Sequence, residues 1–229
     1  MKLSDRIQKL IDFVPAQARL ADIGTDHAFV PIEVIKMGMA NFAIATDIGA
    51  GPLNIARDNV EAAGLAEKIQ LRLGNGLAPI QYEDHINTFV IAGMGGELIR
   101  QILATAPKPL LKNVTLILEA NNQEALVRQW LSDQQIQIVN ETILFEDGHY
   151  YEFIIADTRK KSMPLTQIDI QYGPILARQQ SLTFRQKWQH QLLIKNKILK
   201  QLTQSQTVPL DKVRQTELAI KSIEELLQK

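Results

Sequence analysis

The chain reads as an α/β protein: a mostly parallel, doubly wound sheet that ends in an antiparallel hairpin, followed by a helical coiled-coil hairpin. Three observations predict this. Short β-rich runs alternate with amphipathic segments through the first 135 residues, a rhythm that calls for parallel strands and right-handed crossovers. Two further runs then follow each other across a tight turn, which is hairpin spacing. Past residue 160 the strand character fades and apolar stripes at helical spacing take over.

The opening segment, MKLSDRIQKLIDFV, carries charges throughout and reads as an amphipathic helix, unlike a signal peptide with its unbroken apolar centre. Five strands are expected in ARLADIG, AIATDI, KIQLRLG, INTFVIAG and NVTLILEA, with helices near 28–38, 52–63, 96–105 and 122–134 between and after them. IQIVNETILFED and YYEFIIAD, joined around Gly148 and His149, form the hairpin. At Arg159–Pro164 the chain turns basic, which places a boundary between a sheet domain, 1–160, and a tail, 161–229. The tail is read as helices 174–204 and 210–228, joined by a loop near Gln206–Pro209. Phe184, Trp188, Leu192, Leu199 and Leu202 form one stripe; Leu210, Val213, Ile220 and Leu227 form the facing one. Trp188 is expected to anchor a core in preference to stacking on a base.

Composition excludes several classes. No cysteine is present, so there is no disulfide, thiol nucleophile or thiolate metal site. Four histidines without acids clustered at ligand spacing give no reason to expect a metal. No apolar run approaches the roughly 20 residues of a bilayer span, and the cytoplasm is the simplest location. The net charge of zero hides an asymmetry. Residues 1–158 hold 12 Lys+Arg against 20 Asp+Glu, a balance of −8, and residues 159–229 hold 13 against 5, a balance of +8. A basic tail on an acidic body points to an anionic macromolecule such as nucleic acid; the plainer reading is a lysine-rich solvated surface.

Chemistry gathers at the strand ends. In LADIGTDHA a buried strand meets Gly24, and the second strand ends at Asp47, 23 residues further on. That spacing suits a carboxylate gripping ribose hydroxyls on a doubly wound sheet. A dinucleotide site would show G-x-G-x-x-G for its pyrophosphate; here the run is GTDHAF, with one glycine and Asp26 in the anion's place. A carboxylate there repels phosphate and favours a cationic cofactor, although Asp26 could simply cap the next helix. In LGNGL, Asn75 can pair with an adenine edge, or mark an Asn-Gly turn. Three glycines around Met94 in IAGMGGELI leave room for a flat ring.

Taken together, LADIGTDHAFVPIEV, ATDIGAGPLNIA, LRLGNGL, VIAGMGGELIRQIL and EDGHYYEFIIAD resemble the bacterial tRNA (adenine-N1)-methyltransferases that modify adenine 22, over nearly the whole chain. The resemblance implies a class I, Rossmann-like catalytic domain, S-adenosylmethionine as methyl donor and a coiled-coil tail that helps hold tRNA. Cofactor contacts are expected from Asp22, Gly24, His27, Asp47, Ile48, Asn75, Gly76, Ala92, Gly93 and Met94; because methylation at N1 leaves the adenine cationic, Asp26 is the catalytic candidate, either bonding the exocyclic amine or accepting its proton. Substrate contacts are expected from Gly95 and Asn121 and, by charge, from Arg185, Lys195, Lys197 and Lys200. A monomer is the expected state. Two departures stand out: Asn75 replaces an Asp, and Glu119-Ala120-Asn121 replaces the family's Gln-Pro-Asn. Other readings are weaker. A methyltransferase for a protein or a small molecule leaves the basic tail idle; one for another RNA would use it and stands as the alternative; a nicotinamide dehydrogenase fails at Asp26; a non-catalytic tRNA-binding module has no use for the glycine loop and Asp47.

Overall fold

The computed structural model describes residues 3–204 and 208–228. Of the expected Gln206–Pro209 loop, Gln206 and Thr207 lie outside the described residues. The chain divides into two compact units, 1–175 and 176–229. The first is a seven-stranded sheet ordered β3-β2-β1-β4-β5-β7-β6. Its strands are β1 (Ala18–Ile23), β2 (Ala40–Asp47), β3 (Ile69–Leu73), β4 (Thr88–Gly95), β5 (Thr115–Asn122), β6 (Ile136–Glu146) and β7 (His149–Lys161). β1 to β5 run parallel, and β7 enters antiparallel between β5 and β6.

Helices α1 (Asp5–Asp12), α2 (Phe29–Lys36), α3 (Ala50–Ala62), α4 (Gly96–Thr105) and α5 (Glu124–Asp133) cover the sheet. Successive side chains of a strand face opposite ways, so the central strands feed two cores. Leu20, Val90 and Phe153 pack with Leu10 of α1, Val34 of α2 and Val60 of α3. Ala21, Phe89, Ile91 and Ile154 pack with Ile99 of α4 and Leu131 of α5. Both faces of the central strands are therefore apolar, which explains their unbroken hydrophobic runs.

Strand character continues past the expected boundary at 160. Arg159, Lys160 and Lys161 belong to β7, and Lys161 pairs with Ile136. The next helix, α6 (Gln167–Tyr172), was not legible in the sequence. It leads to Gly173, beside a buried ion triad in which Arg128 holds Glu141 at 2.7 Å and Glu152 at 2.5 Å. Ile175 then donates its N–H to Glu141. These bonds tie 161–175 to the sheet, which is why the first unit extends to residue 175.

In the second unit the expected helix 174–204 is broken into α7 (Leu176–Gln179) and α8 (Leu182–Thr203), because Ser181 caps α8 by accepting from Phe184 N–H. The partner helix is α9 (Leu210–Leu227). Phe184 and Trp188 are buried, as are Ile220, Ile223 and Leu226 of α9, so Trp188 is an anchor. Leu193, Leu210 and Leu218 are exposed.

Candidate active site

In a parallel sheet all the strand ends lie on one edge, and ligands bind where the winding reverses, here between β1 and β4. β1 ends in Gly24, whose N–H and that of Thr25 both donate to Thr46 O at 2.8 Å, folding the turn over the end of β2. Gly24 has φ +78°, and a Cβ there would lie 2.0 Å from Cε of Met94. Its freedom lets the turn pack against Met94.

Asp22 lies beneath this turn, 8% exposed. Burial, with repulsion from Asp47 adding to it, pushes its carboxyl up to about 6 against the pull of the Thr25 hydrogen bond. Thr25 also accepts the Ala28 N–H at 3.1 Å, and Ala28, in the left-handed region, is the N-cap of α2. Asp26 therefore does not cap that helix. Its side chain is 72% exposed and meets Nε2 of His27 at 3.1 Å, while the His27 ring stacks on Phe29. Asn59 fixes the same turn by donating to His27 O.

At the end of β2, Asp47 accepts the Gly49 N–H at 2.7 Å, which leaves its second oxygen outside that turn bond. Ile48, next to it, is 74% exposed, an apolar surface beside a carboxylate. Beyond β3, Gly74 donates to Asp47 O and Ala78 to Asn75 O, so Asn75 and Gly76 form a tight turn with Asn75 exposed. Ala92, Gly93, Met94 and Gly95 close β4, where the register with β5 breaks, and α4 begins at Gly96. The edge thus gathers all the expected cofactor positions at the ends of β1, β2, β3 and β4.

The expected substrate contacts fare unevenly. Gly95 is at this edge, and Asn121 and Asn122 are both exposed at the end of β5, where Asn122 pairs with Gly95, its Oδ1 lying 3.2 Å from where a Cβ would be. In the helical unit Arg185 donates to Leu227 O at 2.7 Å and to Gln180, and so caps the end of α9. Lys187 is buried against Trp188; Lys195 is half-buried, and Lys197 and Lys200 are exposed. Sequence reasoning missed Thr25, Asn59 and Asn122, and it missed Arg6, whose guanidinium meets the buried Glu119 at 2.6 Å. A short amphipathic helix near the N-terminus whose arginine is one of several charges gives no sequence signal of a partner 113 residues away. Among the described residues no group of three His, Asp or Glu side chains could hold a metal, and no helix is long and apolar enough to cross a membrane.

This sheet order, with acids at the ends of β1 and β2 and a glycine loop after β4, defines a class I methyltransferase. The model of the TrmK family, tRNA (adenine(22)-N(1))-methyltransferase, matches residues 20–225. The tRNA (adenine(22)-N(1))-methyltransferase of Bacillus subtilis is 34% identical, with 96% of this chain and 93% of that protein covered. Streptococcus pneumoniae Sp1610, solved in complex with S-adenosyl-L-methionine, superimposes with TM-score 0.89 at 39% identity over 99% of this chain and all of that one. Mycoplasma capricolum TrmK, solved with S-adenosyl-homocysteine, gives TM-score 0.89 at 27% identity over 100% and 99%. The chain belongs to the TrmK family, the tRNA (adenine(22)-N(1))-methyltransferases.

Proposed function

We propose that this chain transfers the methyl group of S-adenosylmethionine to N1 of adenine 22 in tRNA, with the residues of the β1–β4 edge in distinct roles. The observation that carries the assignment of the site is the pairing of two acids, Asp22 and Asp47, at adjoining strand ends. A dinucleotide enzyme would gather backbone N–H groups there around a pyrophosphate; two carboxylates suit a cation. When bound, S-adenosylmethionine supplies an electrophilic methyl group on a positively charged sulfur. Asp47 would accept from its ribose hydroxyls, Ile48 would offer an apolar surface to its adenine, and Asp22 with the Gly24–His27 turn would balance the positive charge of its methionine part. The exposed Asn75 and the half-buried Gly76 would flank the base.

N1 of adenine has a free lone pair at neutral pH, so no strong base is needed and the main task is alignment. As the N1–C bond forms and the C–S bond breaks, positive charge builds on the adenine. Asp26, exposed beside His27, would accept a hydrogen bond from the exocyclic amine and stabilise that charge. Gly95 and the end of β5 border the target base. The helical unit supplies phosphate contacts through Lys195, Lys197 and Lys200, joined by Lys212 and Arg214 on α9. Arg185 and Lys187 are engaged in holding the helices together and fall outside that set.

The test is incubation of the protein with S-adenosylmethionine and two tRNA transcripts, one with adenine and one with guanine at position 22. Chromatography with mass detection should find 1-methyladenosine only in the first, with reverse transcription stopping at that nucleotide. Equal methylation of both transcripts would overturn the choice of position, and no methylation of either would overturn the activity.

A further inference from the structure

We infer that Glu119, held by Arg6, is a positioning residue for methyl transfer, because its carboxylate fixes the Gly93 amide and with it the glycine loop after β4. The inference rests on the activity proposed above. It concerns the residue that departs from the family's Gln-Pro-Asn pattern, and it gives that departure a use.

Glu119 is fully buried on β5, opposite Ala92 of β4. At the next position of β4 the ladder breaks: Met94 takes Ala120 as its partner and Gly93 is left over. Gly93 adopts φ +76° and its N–H turns off the sheet toward Oε2 of Glu119 at 3.0 Å. The carboxylate therefore gives a fixed protein partner to an exposed amide that the break in register takes out of the ladder, and so holds this part of the backbone in one conformation. The same oxygen accepts from Nε and Nη2 of Arg6 at 2.9 and 2.6 Å. A Cβ on Gly93 would come within 2.8 Å of Nη2, so glycine is required by conformation and by the guanidinium together.

Arg6 is itself prevented from wandering. Ser4 caps α1 by accepting from Ile7 N–H, and Glu146, at the end of β6, accepts the N–H groups of Asp5 and Arg6 at 2.7 and 3.2 Å. The guanidinium lies 5.0 Å over the Tyr151 ring of β7. A chain of contacts thus runs from the β6–β7 hairpin through α1 and Arg6 to Glu119 and the loop. Its output is the direction of Met94, which packs on Gly24, and of Gly95, which borders the target base. Neither Glu119 nor Arg6 needs to touch a reacting atom. Displacing a catalytic loop by about 1 Å can cost on the order of a hundredfold in rate.

The experiment is single-turnover methylation at saturating S-adenosylmethionine and tRNA, with both affinities measured separately. Glu119→Leu removes the acceptor for Gly93 and should slow the step at least about tenfold, with both dissociation constants within about threefold of wild type. Glu119→Gln keeps an acceptor oxygen and should stay within about threefold in rate. Arg6→Met strands a buried carboxylate and should be slowed about tenfold, and adding Glu119→Gln should restore most of the rate because a neutral amide needs no counter-ion. If Glu119→Leu does not fold, the Arg6 pair decides. A wild-type rate in Glu119→Leu or in Arg6→Met would overturn the inference, as would a Gln variant as slow as Leu or a double variant no faster than Arg6→Met. Failure of the wild-type protein to methylate adenine 22 would instead overturn the activity on which it rests.

Discussion

On the β1–β2 side of the site the carboxylates are set by their near neighbours: Asp22 by Thr25, Asp47 by Gly49, and the turn between them by Thr46. On the β4–β5 side the glycine loop is set from afar, by Glu119 and an arginine on α1. The near side has its geometry written into two short strand-end segments, 22–28 and 46–49, so it tolerates changes elsewhere in the fold. The far side depends on a helix, a hairpin and a strand meeting correctly. The first arrangement suits binding a cofactor, the second suits controlling when the loop is in place.

Substitutions can break this contrast, and the largest effect is expected at Asp26. Asp26→Asn removes the charge proposed to stabilise the methylated base but no helix cap, so single-turnover rate should fall by about 10²–10³, with cofactor affinity nearly unchanged. A wild-type rate in rapid-quench assays would remove Asp26 from the chemistry.

Truncation after Ile175 comes next. It spares α6 and the Ile175–Glu141 bond, which a cut at 160 would destroy. The remaining unit should bind S-adenosylmethionine normally in calorimetry, while its tRNA affinity drops about a hundredfold and its dependence on salt becomes shallower. Equal affinities and equal salt slopes for the two lengths would make the basic helices bystanders.

Asp47→Ala should weaken S-adenosylmethionine by about 1.5–3 kcal/mol, the range of charged hydrogen bonds. Part of that loss comes from freeing the Gly49 turn, which Asp47→Asn would preserve; calorimetry on both variants separates the two contributions.

The smallest effect is on stability. Asp22 ionises at about 6 in the fold against 3.8 as its ordinary value, so the folded state keeps a proton that the unfolded chain has already shed between those pH values. The charged form therefore costs stability: the penalty is absent below about pH 4 and complete above about pH 6. Asp22→Asn should raise stability at pH 7 by about 1–3 kcal/mol, a gain that vanishes near pH 4 in urea titrations. The same variant should bind S-adenosylmethionine worse, and wild-type affinity should decline as the pH falls below about 6.

The same contrast explains what the sequence made legible. Strand ends, Gly24, Asp47 and the glycine loop follow from local periodicity and turn chemistry, and each lies at the edge where it was expected. Asp26 as a helix cap did not hold, because Ala28 takes the left-handed cap position and Thr25 supplies the acceptor. Glu119 was visible only as a departure, since a buried acid acquires meaning from Arg6, which no spacing connects to it. The boundary at 160 was placed by charge, and charge does not reveal that Lys161 pairs with Ile136 or that Gly173 closes over Arg128. Arg185 read as a phosphate contact for the same reason: a count of cations cannot show which of them is spent on a helix end.

The position of β7 has a consequence for how the chain comes to be made. Thr115 to Ala120 of β5 pair with Asp157 to Glu152, so an inner strand of the sheet is supplied by residues translated some forty positions later. While the intervening segment leaves the ribosome, β5 presents an apolar open edge of the kind that recruits stray strands. β6 and β7 are joined by a tight turn and can pair with each other first. The sheet is then closed by docking a finished hairpin, so newborn chains remain vulnerable to misassociation until β7 is complete.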